Sequence, residues 1–191
     1  MYNSGCIDGG DLITWKSPDN MYIFEIDRVG NSYIPTLLSP QYTNIIRIKS
    51  NLGITILELK FTEFQCINIL YDFSQIFYEK YYIEQNENTF VPKTIQISIN
   101  PSSTTMDSQI FQITFSSSNN KLLKFSILNY NPQYQQVSEI MHIVLTTKEF
   151  VDMATSLFFQ CIIDLDIDSY ALKEYSDKLV FIEDFIYGKI W

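Results

Sequence analysis

Asp164, Asp166 and Asp168 alternate in the run I-D-L-D-I-D-S, and carboxylates at that spacing are how a calcium loop begins. Such a loop also needs Gly at its sixth position for the sharp turn and Glu at its twelfth for bidentate ligation. Ser169 and Tyr175 hold those places here, so the three aspartates read as an acidic helix end and not as a metal site. His142 is the only histidine, and Cys6, Cys66 and Cys161 are scattered with no C-x-x-C pair, which gives zinc no convergent ligand set. A Ser-His-Asp or Cys-His arrangement converges only in space, so its absence from the chain order decides nothing. No G-x-S-x-G, G-x-G-x-x-G or Walker frame is present. Pairs of carboxylates always exist among 22 acids, so they do not single out acid–base chemistry. The expectation is a chain without catalytic, cofactor or metal residues. Alternation sets His142 opposite Met141, Ile143 and Leu145, on the exposed face of a strand.

Charge is the stronger signal. The formal net charge is −9, opposite to the balance of a protein that grips phosphates through many Lys and Arg. The excess is uneven. From Thr146 to Trp191 nine acids face four lysines, whereas Phe90 to Leu145 is nearly balanced. The candidate contact surface is therefore acidic and C-terminal: Asp164, Asp166, Asp168, Glu174, Asp177, Glu183 and Asp184. Its partner would be a protein with a basic surface.

These residues have to be positioned by elements that the hydrophobic pattern predicts. Strands are expected at Leu12 to Trp15, Met21 to Asp27, Thr43 to Lys49, Ile54 to Lys60, Thr94 to Ile99, Gln109 to Ser116, Lys121 to Leu128 and Ile140 to Leu145. Each alternates apolar and polar residues. An edge strand near Tyr33 fits the Pro-bearing stretch Val29 to Gln41. Ser17-Pro18-Asp19-Asn20 and Ser50-Asn51-Leu52-Gly53 read as turns, and Asn129 to Ser138 as a loop. A helix is expected from Thr62 to about Ile83. A second runs from Thr146 to Leu165, opened by a capping box in T-T-K-E. A third is marked by Leu179, Ile182, Phe185, Ile186 and Ile190. The order is four strands and a helix, twice, then a C-terminal helix. This is an α+β fold in one domain, with halves at 11–85 and 93–168 and a helical tail at 169–191. The echo of Leu57-Glu-Leu-Lys-Phe-Thr-Glu-Phe64 in Ile143-Val-Leu-Thr-Thr-Lys-Glu-Phe150 supports an internal repeat.

The N-terminus lacks a basic segment followed by an apolar one, so no secretory signal is expected. No apolar run approaches the ~20 residues of a membrane span. An odd number of dispersed cysteines, with Cys66 and Cys161 at core positions of helices, fits a reducing cytoplasmic compartment.

The strand that ends in Leu-Thr-x-x-Glu-Phe before an amphipathic helix, at Ile143 to Phe150 and more loosely at Leu57 to Phe64, resembles the PC4/Whirly-type single-stranded nucleic acid binders. That resemblance covers about residues 12 to 165. It implies four strands and a helix used twice, with single-stranded DNA or RNA as the ligand. Phosphates would then meet Arg28, Arg47, Lys49, Lys93, Lys121 and Lys124, and bases would stack on Tyr22, Tyr33, Tyr42, Tyr130 and Tyr134. The sequence departs from the family in its sparse cations and acidic balance.

Composition and charge favour a small non-catalytic binding protein acting through protein–protein contacts, of the kind a phage or mobile element encodes as an inhibitor or immunity protein. The single-strand binder is the alternative. A structural subunit that assembles with copies of itself is a third reading.

Overall fold

Alternating stretches form strands because every second side chain can be buried while the backbone pairs with its neighbour. The computed structural model describes residues 10–28, 44–83, 93–97, 108–116, 122–159 and 169–191. The strands make two antiparallel four-stranded meanders. The first sheet holds β1 (Gly10–Lys16), β2 (Tyr22–Arg28), β3 (Asn44–Ser50) and β4 (Thr55–Phe61) in that order. The second holds β5 (Lys93–Ile97), β6 (Ser108–Phe115), β7 (Leu122–Asn131) and β8 (Gln136–Thr146). In the first sheet Phe24 lies across from Ile48, and Ile46 across from Leu59. In the second, Ile113 lies across from Phe125, which lies across from Ile143. All of these are buried. Glu25, Arg47 and Glu58 fall on the opposite face by the same alternation.

Both expected tight turns form. Asn20 N–H donates to the Ser17 carbonyl at 2.9 Å, and the Ser17 hydroxyl accepts from Tyr22 N–H at 3.0 Å. Gly53 N–H donates to the Ser50 carbonyl at 2.9 Å with Gly53 at φ +81°, where a glycine is needed.

Helix α1 (Glu63–Tyr78) continues as a π-helical turn, Glu79–Ile83, and α2 (Thr147–Ala154) as a second one, Thr155–Phe159. Helix α3 spans Ser169–Ile186. The capping box expected at Thr146 is present. Its hydroxyl accepts from Glu149 N–H at 3.1 Å, and Glu149 accepts from Thr146 N–H at 2.8 Å. Thr62 and Gln65 repeat the arrangement at α1.

Some expected boundaries are corrected. Asn129 to Ser138 is not a loop. β7 runs on to Asn131 and β8 begins at Gln136, leaving a turn of residues 132–135. The Asn131 side chain accepts from Gln133 N–H at 3.0 Å and Tyr134 N–H at 3.2 Å, and Gln135 adopts φ 51°. The paired segment Gln136 to Glu139 is exposed, so no apolar alternation announces it. The helix read from Thr146 is α-helical only to Ala154 before its π turn, and 160–168 lie outside the described residues. So do the expected edge strand near Tyr33 and the linker between halves.

One hydrophobic cluster takes side chains from both sheets and all three helices. The helices of both halves pack into this shared core, and some of their contacts cross from one half to the other. Phe73 of α1, which follows the first sheet, stacks on Phe111 of the second at 6.2 Å and meets Phe125 at 6.4 Å. Phe77 meets Phe115 edge-on at 5.2 Å. Phe158 follows the second sheet and packs edge-on against Phe61 of the first at 5.8 Å. Helix α3 then lies along α1. Lys178 donates to Asn68 at 2.8 Å, and the rings of Tyr71 and Phe181 are 6.0 Å apart.

Candidate functional site

On the exposed face of the first sheet, β-pairing brings acids and bases side by side. Arg47 donates to Asp27 at 3.2 Å and to Glu58 at 3.1 Å. Lys49 reaches Glu25 at 2.8 Å, and Lys60 lies 4.0 Å from Glu58. The Asp27 carboxylate, with Glu58 beside it, raises the guanidinium of Arg47 above its usual range. Two of the residues expected to meet phosphates are thus already matched to carboxylates of their own sheet. Tyr22, expected to stack bases, packs partly buried against the core; alternation puts it on the same face as Phe24 and Ile26.

The second sheet carries the one polar constellation with a catalytic look. The Glu139 carboxylate lies 3.0 Å from His142 Nδ1 and 3.2 Å from Lys124 Nζ. The His142 contact and then Lys124 pull the Glu139 carboxyl below its ordinary value. Ser126 is paired across the strands with His142, so acid, imidazole and hydroxyl follow one another in space. A nucleophile must be hydrogen-bonded to its base and open to substrate. The Ser126 hydroxyl has no hydrogen-bond partner among the described residues and is buried, so it is neither bonded to His142 nor open to substrate. Asp19, from the first turn of the other sheet, is held low mainly by the Ser17 hydroxyl, with a smaller contribution from His142.

The described members of the nucleic-acid set are divided between the two sheets. Arg47 and Lys49 stand on one sheet and Lys124 on the other. Tyr130 lies six residues along β7 from Lys124, about 20 Å at strand rise, and Tyr134 projects from the turn beyond it. Lys93 opens β5, but its side chain lies outside the described residues, as do Arg28's side chain and all of Tyr33, Tyr42 and Lys121.

The acidic set is partly placed. Asp164, Asp166 and Asp168 lie outside the described residues, and Glu174 is on α3 with its side chain outside them. Asp177 and Glu183 are exposed on the outer side of α3, and Asp184 sits 3.5 Å from Lys189. What the charge pattern misses is their apolar company. Val180 is 57% exposed and Tyr187 68% exposed on that same side. Phe181 is 38% exposed and edge-on to Tyr71 and Tyr78 of α1, at 6.0 and 6.5 Å. The signal was available. Leu179, Ile182, Phe185 and Ile186 fill the inward stripe, so Val180 and Tyr187, seven residues apart, fall on the opposite one. Lys178 turns inward, with its ammonium 5.3 Å from the Tyr71 ring and 5.5 Å from that of Tyr175. A second apolar surface, Leu52 and Ile54 beside Met21, caps the turns of the first sheet, where the exposed Asp19 carboxylate accepts from Met21 N–H at 3.0 Å.

Among the described residues no group of three or more His, Cys, Asp or Glu is placed to hold a metal, and no helix is long and apolar enough to cross a membrane. No protein-family model matches the chain, and no curated protein matches it.

Proposed function

We propose that this chain is a non-catalytic binding protein that docks on a basic protein partner through the outer face of α3. The observation that carries the reading is the contrast between surfaces. Sheet-face cations are spent on neighbouring acids, at Arg47, Lys49 and Lys124. On α3, Asp177 and Glu183 have no ion-pair partner among the described residues and flank exposed Val180. Aromatic and apolar side chains at the centre of a patch with charge at its rim are the anatomy of a protein interface. The acidic rim repels a phosphate backbone and attracts Lys and Arg. An inhibitor or immunity protein works in this way, by occupying a surface and not by turning over a substrate.

The test places a photo-crosslinking amino acid at Tyr187 in one variant and at Tyr134 in another, in the cells that make the protein. Both positions are exposed tyrosines, one on each rival surface. A discrete protein adduct from position 187, absent from position 134, is the expected result. Nucleic acid adducts from position 134, together with micromolar, salt-sensitive binding of labelled single-stranded DNA, would favour the single-strand binder and overturn the reading.

A further inference from the structure

We infer that the outer end of β8 is a self-pairing edge, where two copies of this chain join antiparallel into one continuous sheet. It is a different surface from the docking face of α3 and does not depend on it.

The edge is open and unguarded. β8 lies at one side of the second sheet, with β7 on its inner flank. Residues 132–139 are exposed, so the end of the β7–β8 hairpin stands clear of the core. An edge strand presents a row of unpaired N–H and C=O groups, and natural edges are blunted with charge, proline or a bulge. The other edges carry such devices. β1 is broken by a register shift between Gly10 and Ile13 and ends in Lys16. The uncharged start of β4 is broken at Ile56, between the pairings of Thr55 and Leu57, and Glu58 and Lys60 follow. β5 opens with Lys93. In β8 the shift falls at Ile140, between the pairings of Glu139 and Met141. Beyond it the ladder with β7 is unbroken from Glu139 to Gln136, and Gln136-Val137-Ser138 hold neither charge nor proline. The Asn131 side chain fixes the turn by accepting from Gln133 N–H and Tyr134 N–H, so this end is ordered before it meets another chain.

Charge selects the occupant. From Phe125 to Ser138 there is no Asp, Glu, Lys, Arg or His. A basic partner finds no carboxylate along this stretch to draw it. Copies of this chain carry −9 each and repel one another through their charged faces, so they meet where charge is absent.

An antiparallel strand pair is also its own mate under a twofold rotation, the symmetry of most dimers. With the axis at Val137, that side chain faces its own copy, and Gln136 faces the partner's Ser138. Val137 is 56% exposed and is paired across the hairpin with Tyr130. The joined sheets thus carry Tyr130 and Val137 of both copies in one row, which adds side-chain contact to the backbone bonds. The two Glu139 carboxylates stay about 14 Å apart along the joined strands, past the ~8 Å screening length of physiological salt. Pairing uses up the open side of β8, so assembly stops at two. So short a ladder buries less than the roughly 800 Å² per partner of a standard complex, and a dissociation constant on the order of 100 μM is expected.

Sedimentation equilibrium of the full chain from about 5 to 500 μM brackets that constant. The mean mass should rise from one chain toward two and level there. Val137→Lys and Val137→Glu each set like charges across the axis and should weaken the dimer at least ~10-fold. Val137 is exposed, so both variants keep the fold, which far-UV circular dichroism checks. An equimolar mixture of the two sets opposite charges across the axis and should associate again. A mass that stays at one chain throughout overturns the inference. So does growth beyond two, a dimer that neither substitution weakens, or a mixture that does not recover.

Discussion

Asp72 sits between α1 and α3, and burial raises its carboxyl above the ordinary value of 3.8 while the nearby Lys178 ammonium pulls the other way. A raised carboxyl favours the protonated form in the folded state. Its contribution to stability is therefore fully present below the unfolded value and is lost as pH rises through the folded one. Asp72→Asn is expected to stabilise the protein slightly at pH 7, by less than about 1 kcal/mol after solvent screening, and to leave it unchanged at pH 3. Urea midpoints at the two pH values check this, and equal shifts at both would refute it. Glu139 has the opposite sign. Its depressed carboxyl stabilises above the ordinary value of 4.5, and that contribution fades as pH falls. Since His142 is the largest cause, His142→Ala should move the Glu139 titration back up, as read by carbon-13 NMR of the carboxyl. At this scale the sequence shows exposure better than partnership. Alternation alone set His142 on the open face of its strand. The pairing of Arg47 with Asp27 and Glu58, 20 and 11 residues away, depends on hairpin register and could not be read before it.

Elements were legible where a local device fixes their ends. The T-T-K-E box marked the start of α2, and removing it with Thr146→Ala should cost about 1 kcal/mol in a thermal or urea melt. The end of α3 is set by a Schellman motif: Lys189 N–H donates to the Asp184 carbonyl at 2.8 Å and Gly188 N–H to that of Phe185 at 3.3 Å. Gly188 has φ +73°, and a Cβ there would meet only the Trp191 ring at an ordinary 3.5 Å. Gly188→Ala is thus expected to cost about 1–2 kcal/mol from backbone conformation alone, with Gly188→Asn costing less. An unchanged melt would show that the last turn is frayed in solution. The β7–β8 hairpin was missed because its outer part buries no side chain, and backbone pairing leaves no mark on hydropathy. The same blindness covers edge protection. Every register shift falls in a pairing with an edge strand, at β1, β4 and β8, while β2–β3 and β6–β7 pair without interruption. Bulges there bend the open edges and discourage pairing with another chain.

At the scale of the whole molecule, the order of four strands and a helix, twice, was legible, but the contacts that cross between the halves were not. Hydrophobic period tells which face is buried and is silent on which sheet it is buried against. Those crossing contacts decide how the chain unfolds. Phe73 carries contacts to Phe111, Phe125, Phe150 and Phe158, all from beyond its own half, so the first sheet's helix completes the second sheet's core. Phe61 depends in turn on Phe158. The two halves share one hydrophobic cluster, and unfolding should be one cooperative transition. The two tryptophans make this measurable, since Trp15 packs edge-on to Phe24 in the first sheet and Trp191 donates its indole N–H to Phe185 of α3 at 2.8 Å. In Trp15→Phe and Trp191→Phe variants, urea transitions read from the remaining indole should superimpose once each variant's own stability is normalised. Adding Phe73→Ala should lower stability by about 3–5 kcal/mol and shift both signals together. Two separated transitions, or a shift seen by Trp191 and not by Trp15, would mean that the sheets unfold independently and that the contacts crossing between the halves do not bind them into one unit.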